Sequence, residues 1–478
     1  MKTPILIALA ALSALSSAQT WSRTTTNGPT QAGVELLLTD GSVMVHEIMS
    51  PRWWRLRPNA FGDYRSGTWT RLPDMQANYA PLYFASAVLA DGRVVVMGGE
   101  YNNGSAVWTN LGAIFDPVAN AWTPLAAPSG WSQIGDAQCT VLPDKRFAIA
   151  NPFDTRMAIL DPVTLTWTQS SGHGKTDRFD EEGWTLLPDG NILTVDAINA
   201  PHTEKYIVST GNWISAGNTP QSLTHSSSQE IGPAVLRPNG TVIAMGATSH
   251  NAVYTPGPNS TDPGTWTAAP DFPGGLAIAD GPACLLPSGN VLCGASPGVF
   301  NAPTSFFEYD GVNFLSRPAT PNSPANPCYV GNMLMLPTGQ VMYTDFSADV
   351  EIYTPAGSPN PAWKPTLTVA PTLLKAGQTF PIYGTQFNGL SECSAYGDDS
   401  SNATNYPLVR VKNIATGHIF FCRTANHSNM GVATGSATVG TKATLPFNVE
   451  SGPSLIQVVV NGIQSDWRKV IIYSRAAF

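Results

Sequence analysis

Apolar and polar positions recur along this chain in one unit: a run of apolar residues, a two-residue polar turn, and a second run rich in Val, Ile and Met. The unit reads VELLLTDGSVMVH from residue 34, SAVLADGRVVVMGG from 86, CTVLPDKRFAIAN from 139 and WTLLPDGNILTVD from 184. It returns as AVLRPNGTVIAMGA from 234, ACLLPSGNVLCGA from 283 and MLMLPTGQVMYTD from 333. The turn positions Gly41, Gly92, Lys145, Gly190, Gly240, Gly289 and Gly339 are spaced by 51, 53, 45, 50, 49 and 50 residues. Asp-Gly and Asn-Gly tolerate positive φ and close two-residue hairpins, so each copy predicts a β-hairpin.

A third strand and a Trp-led fourth follow most hairpins, as in AIFDPVANAWTPL from 113, AILDPVTLTWTQS from 158 and the Trp266 segment. Four strands repeating at about 50 residues are the signature of a kelch-type propeller blade, whereas an immunoglobulin-like array repeats at about 100. The pattern predicts an all-β, seven-bladed kelch-type β-propeller over residues 19–365. Trp21 to Thr25 forms an orphan strand that completes the last blade. After the Pro-rich segment TPAGSPNPAWKPTL the repeat stops, and short strand-like runs separated by polar turns predict an immunoglobulin-like β-sandwich over 366–478.

Composition narrows the function classes. Only 12% of the 478 residues are charged, against 43 Gly, 40 Pro and 13 Trp, which excludes coiled coils and disorder. A net charge of −8 disfavours nucleic acid, whose binders need a basic footprint. The first 18 residues, MKTPILIALAALSALSSA, carry one Lys, a short apolar run and small residues at the end, the pattern of a cleaved signal peptide. A secreted, extracellular monomer with no membrane span is expected. In an oxidising space the six cysteines pair: Cys284 with Cys293 across a hairpin, Cys393 with Cys422, and Cys139 with Cys328 by elimination. Sequons at Asn103, Asn239, Asn259, Asn402 and Asn426 predict a glycoprotein.

With a signal peptide, seven kelch-like units and a C-terminal sandwich, the chain resembles the secreted galactose oxidase and glyoxal oxidase group. That resemblance implies an early-set (E-set) C-terminal domain and a copper-radical site. Tyr329 stands where the family carries an axial Tyr, and His427, in Arg423-Thr424-Ala425-Asn426-His427-Ser428, resembles a His delivered to copper by a loop of the sandwich. Tyr329 and His427 are the metal ligands that the resemblance implies. Val330 replaces the second His, and the stretch from Asn78 to Tyr83 lacks the thioether Cys, so the radical motif is incomplete.

Propeller sites form at one end of the blades, from residues just before the first strands and just after the second ones. Before the first strands stand Asp136, then Asp180, Glu181 and Glu182, then Glu230, Asp280 and Tyr329; these, with His427, are the expected catalytic groups. After second strands come His46, Glu47, Glu100, Asp196, His250 and Asp345, with His225 nearby. Grouped carboxylates raise one another's pKa, so one becomes a general acid beside an ionised neighbour. Tyr79, Tyr83, Tyr101, Trp131, Phe153 and Trp184 offer stacking faces for sugars, and Arg52 or Arg178 could hold a uronate. Glu100, Tyr101, Tyr83, Arg52, His250 and Asp345 are the expected substrate-binding set. The expected function is a carbohydrate-active hydrolase or lyase acting on a carbohydrate or other small extracellular substrate. A copper-dependent oxidoreductase on sugar alcohols or aldehydes, and a non-catalytic glycan-binding surface protein, remain as alternatives. Copper or calcium are the cofactors these readings allow.

Overall fold

The turns lie where the repeat places them, with φ of 75° at Gly41 and 89° at Gly92; Lys145, in the one unit without glycine, takes 81°. Structure is described for residues 19–25, 28–393 and 403–473 of a computed structural model, and their regular elements are β-strands with three short 3-10 turns. The leader at residues 1–18 and Asn402 lie outside the described residues. No described helix is long and apolar enough to cross a membrane.

Among the described residues, seven antiparallel sheets of four or more strands follow in chain order, with a small three-stranded sheet of Pro81–Leu82, Tyr101–Asn102 and Ser105–Ala106 beside the second. Each starts from one of the hairpins, for example Ala85–Val88 with Val94–Met97 and Ile192–Val195 with Thr185–Leu186. The first strand of the first sheet, Ala32–Leu37, lies against the first strand of the last, Asn332–Met335. Thr20–Arg23 pairs with Glu351–Thr354, Trp21 opposite Tyr353, so the orphan strand joins the two ends of the array. The arrangement is a β-propeller. Many first and second strands are buried at every position, Val94–Met97 and Phe147–Ala150 among them, because each sheet has an apolar neighbour on both faces.

Residues from Thr366 onward form nine strands around their own apolar cluster, which includes Leu367, Phe380, Val409, Ile456 and Ile472. This unit covers the turn end of the propeller. Thr424 and His427 donate backbone N–H groups to Thr39 O at 3.0 Å and Ala90 O at 3.1 Å, and the Tyr406 hydroxyl donates to Leu37 O. Glu392–Cys393 adds a fifth strand to the fifth sheet beside Ala234–Leu236. The opposite end of the strands stays open.

The expected disulfides do not form among the described side chains. Cys293 pairs with Ala283 in the ladder, so Cys284 is displaced by one residue and points to the other face of the sheet. Cys139 Sγ faces Ser86 O and belongs to a different apolar cluster from Cys328, whose thiol faces Ala279 O. Cys293, Cys328 and Cys422 are free, buried thiols. The Cys393 side chain lies outside the described ones, but its strand pairs with the propeller while Cys422 sits in the core of the C-terminal unit. Asn103, Asn239, Asn259 and Asn426 are exposed.

Closure through Trp21 should be measurable. Its ring packs against Phe306 at 4.9 Å and Tyr353 at 4.9 Å, and Nε1 donates to Pro318 O. Trp21→Ala is expected to lower unfolding free energy by about 3 kcal/mol in urea titration; a loss near zero would show that the terminal strand does not hold the ends together.

Candidate functional site

The open end gathers residues from equivalent places in successive sheets. Asp136 precedes Cys139–Val141, Glu181 precedes Thr185–Leu186, Glu230 precedes Ala234–Leu236, and Asp280 precedes Ala283–Leu285. With Glu100, these carboxylates line a cavity of about 280 Å³. Its remaining walls are aromatic: Tyr83, Tyr101, Phe300 and Tyr329. The rings form two edge-to-face pairs, Tyr83 with Tyr101 at 6.1 Å and Phe300 with Tyr329 at 5.3 Å.

Local backbone geometry aims these groups. Tyr83, Glu181, Asp280 and Phe300 have φ of 52°, 58°, 53° and 62°, a region costly for residues with a Cβ. At Glu181 the effect separates three consecutive acids. Asp180 turns outward to Arg178 at 2.6 Å, Glu181 enters the cavity, and Glu182 is fully buried behind it.

Carboxylate oxygens of Glu181, Glu230 and Asp280 lie within 4.8 Å of one another. Burial, then Asp280, push Glu230 up to about 9, while a hydrogen bond with Glu181 works the other way. Glu230 is 8% exposed and its Oε2 has no hydrogen-bond partner. Burial and the Glu100 charge raise Asp136 to about 7, and burial with the Asp180 charge raises Glu100. The floor of the cavity thus carries a protonated carboxyl beside further acids at neutral pH.

Other residues expected here are engaged elsewhere. Glu182 belongs to a buried group in which Lys175 Nζ meets Glu182 at 2.9 Å, Glu204 at 2.6 Å and Asp177, with Asp196 at 3.8 Å. Burial alone would lower the Lys175 pKa; the four acids raise it instead. Asp196 also holds His202 Nδ1 at 2.5 Å. Arg52 pairs with Glu47, His250 with Asp271, and His225 with Ser228, while Asp345 is buried against Ser347 and Asn326. His46 is fully buried with Nε2 at 2.8 Å from Ser50 O, and burial lowers it to about 4. Tyr79, Trp131 and Trp184 are core residues, and Phe153 meets Trp108 edge to face at the surface outside the cavity. Phe300 and Lys175 were missed in the sequence. The loop after Val291–Ala295 contains no acid or His to mark it, and a lone Lys is indistinguishable from a surface one.

The copper site implied by the resemblance does not fit. His427 is buried at the turn end, Nδ1 at 2.9 Å from Thr441 Oγ1 and its ring stacked on Tyr406, while Tyr329 lines the cavity at the opposite end of the strands. Burial lowers His427 to about 4. Asn426, beside it, is exposed. No imidazole lines the cavity among the described residues, and carboxylates with phenols are not the donor set copper selects.

No protein-family model matches the chain. An F-box/kelch-repeat protein of Arabidopsis thaliana is 34% identical over 67 residues, covering 14% of this chain and 18% of its own length. The Kelch-like protein terF of Aspergillus terreus is 28% identical over 131 residues, 26% of each chain. The chain therefore spans about a quarter or less of these relatives' length. Among solved structures, a fungal alcohol oxidase of the AA5 family in complex with copper aligns over 96% of this chain and 99% of its own, with TM-score 0.55 and 11% identity. The GH74 enzyme of Niastella koreensis aligns over 95% and 75%, with TM-score 0.51 and 12% identity. These similarities support the kelch-repeat propeller fold.

Two stability measurements test the electrostatics. The folded state holds the Glu230 proton to about pH 9 and the unfolded chain releases it near 4.5, so the native state binds more protons between these values and loses stability as pH rises through them. Glu230→Gln is expected to be more stable than the parent at pH 8, with the difference fading toward pH 4; an equal difference at both would exclude a buried acid. Lys175→Met leaves buried acids without their cation and should cost about 3–5 kcal/mol at pH 7 in urea titration, less at pH 5.

Proposed function

We propose that this chain is a secreted, seven-bladed kelch propeller with an immunoglobulin-like C-terminal unit, and that its cavity performs acid/base chemistry on a carbohydrate. One observation carries the reading: Glu230, buried and pushed up to about 9 by burial and by Asp280, stands among carboxylates on the floor of a small cavity whose walls are aromatic pairs. Aromatic faces stack on the C–H faces of sugar rings, and a carboxylic acid beside a carboxylate is what glycosidic bond cleavage requires. Glu230 protonates the leaving oxygen as its bond to the anomeric carbon breaks, while the carboxyl group of Asp280 or Glu181 stabilises or attacks that carbon, and water completes the hydrolysis. Oxygens within 4.8 Å are nearer the retaining spacing of about 5–5.5 Å than the inverting spacing of about 6.5–9.5 Å. The GH74 enzyme among the structural neighbours shows that a related fold can carry a glycoside hydrolase family assignment; the chemistry here rests on the cavity.

A panel of polysaccharides assayed for new reducing ends tests the proposal. Turnover is expected to fall about 10²–10⁴-fold in Glu230→Gln and Asp280→Asn, with native circular dichroism retained. The alkaline limb of the pH profile should lie near 9, where Glu230 loses its proton. Activity unaffected by either substitution would overturn the assignment.

A further inference from the structure

Among the described residues, two clusters of carboxylates treat their charge differently. In the buried group of Asp177, Glu182, Asp196 and Glu204, the chain inserts a cation of its own, Lys175, whose side chain is 0% exposed. In the cavity, Glu100, Asp136, Glu181, Glu230 and Asp280 converge with no Lys, Arg or His among the lining residues. Arg178, two residues before Asp180, is committed to Asp180 and Gln229. The sealed cluster has its cation built in, and the cavity has none among its lining residues.

We propose that the cation is supplied by the ligand, and that the ligand is an amino sugar with a free, protonated amine rather than a neutral, N-acetylated or acidic one. This rests on the reading of the cavity as a carbohydrate site and deepens it to a substrate class. An ammonium presents three donors, and the Glu230 Oε2 atom, buried and without a hydrogen-bond partner, is one acceptor ready for it. Converging oxygens of Glu181 and Asp280 within 4.8 Å offer the others. The aromatic walls suit both halves of such a molecule, since ring faces attract a cation and also stack on a pyranose. A cavity of about 280 Å³, just below the usual range of about 300–1,000 Å³ for drug-sized ligands, suits one sugar ring with its neighbours lying outside. An N-acetyl group would turn a carbonyl oxygen toward carboxylates, and a uronate would add a like charge, each disfavoured by the same floor. A bare calcium ion would find oxygens but would leave the aromatic walls without a role.

The test is calorimetric titration of the full-length protein at pH 6 with three tetramers of one linkage: β-1,4-linked glucosamine, its fully N-acetylated form, and cellotetraose. The glucosamine tetramer is expected to bind at least 10-fold more tightly than either of the others, with an advantage that shrinks as salt is raised. Asp280→Asn and Glu181→Gln, checked for native near-ultraviolet circular dichroism, should each remove most of that advantage, whereas Glu230→Gln, neutral for neutral at pH 6, should remove little of it. Equal or tighter binding of the neutral or acetylated tetramer would overturn the amino-sugar inference and leave the carbohydrate reading standing. If no tetramer binds while calcium or 1,4-diaminobutane does, or if nothing binds, both readings fall.

Discussion

Strands buried at every residue set the terms of this fold. Val94–Met97, Phe147–Ala150 and Val242–Met245 have no solvent-facing side, so each sheet must be covered by another on both faces. An open row of such sheets would leave an apolar face bare at each end, at a cost of roughly 25 cal/mol per Å² exposed. Bringing Ala32–Leu37 against Asn332–Met335, with Thr20–Arg23 laid on Glu351–Thr354, removes both ends at once. Trp21 sits at that joint among Phe306, Tyr343 and Tyr353.

Once the sheets are closed on one another, their strand ends point the same way and the site follows. Residues about 50 apart in sequence become neighbours because they occupy equivalent positions before successive first strands. The C-terminal unit covers the turn end, through Thr424, His427 and Tyr406, and the acid-lined cavity lies at the opposite end. Gathering carboxylates there is unfavourable in the empty protein. Left-handed backbone at Glu181 and Asp280 and the proton on Glu230 record that cost, which is the usual mark of a place organised for binding or chemistry.

The two clusters of acids also show how burial decides the role of a residue type. Glu181 and Glu182 are adjacent, yet one faces a cavity and the other an internal lysine. The same reasoning separates Tyr329, at the cavity, from His427, which the family resemblance places with it. His427 reaches the propeller at Ala90, on the turn side of the first strands, a strand length from the open end.

Much of this was readable in residue order, for a definite reason. Hairpin turns and the apolar runs beside them are local, so the repeat, the strand order within each sheet and the orphan strand at Trp21 were legible. Because a repeated fold turns sequence register into spatial position, Glu100, Asp136, Glu181, Glu230, Asp280, Tyr83, Tyr101 and Tyr329 could be named as one group. What depends on contacts between sheets or on the direction of a single side chain was not legible. One positive φ sends Glu181 inward and its neighbours elsewhere; a one-residue offset in the ladder keeps Cys284 and Cys293 on opposite faces; Lys175 finds four acids only after folding. The repeat determines that an acidic rim exists, and the tertiary structure alone decides which acids share the cavity, because burial and orientation belong to the packed sheets and not to the chain.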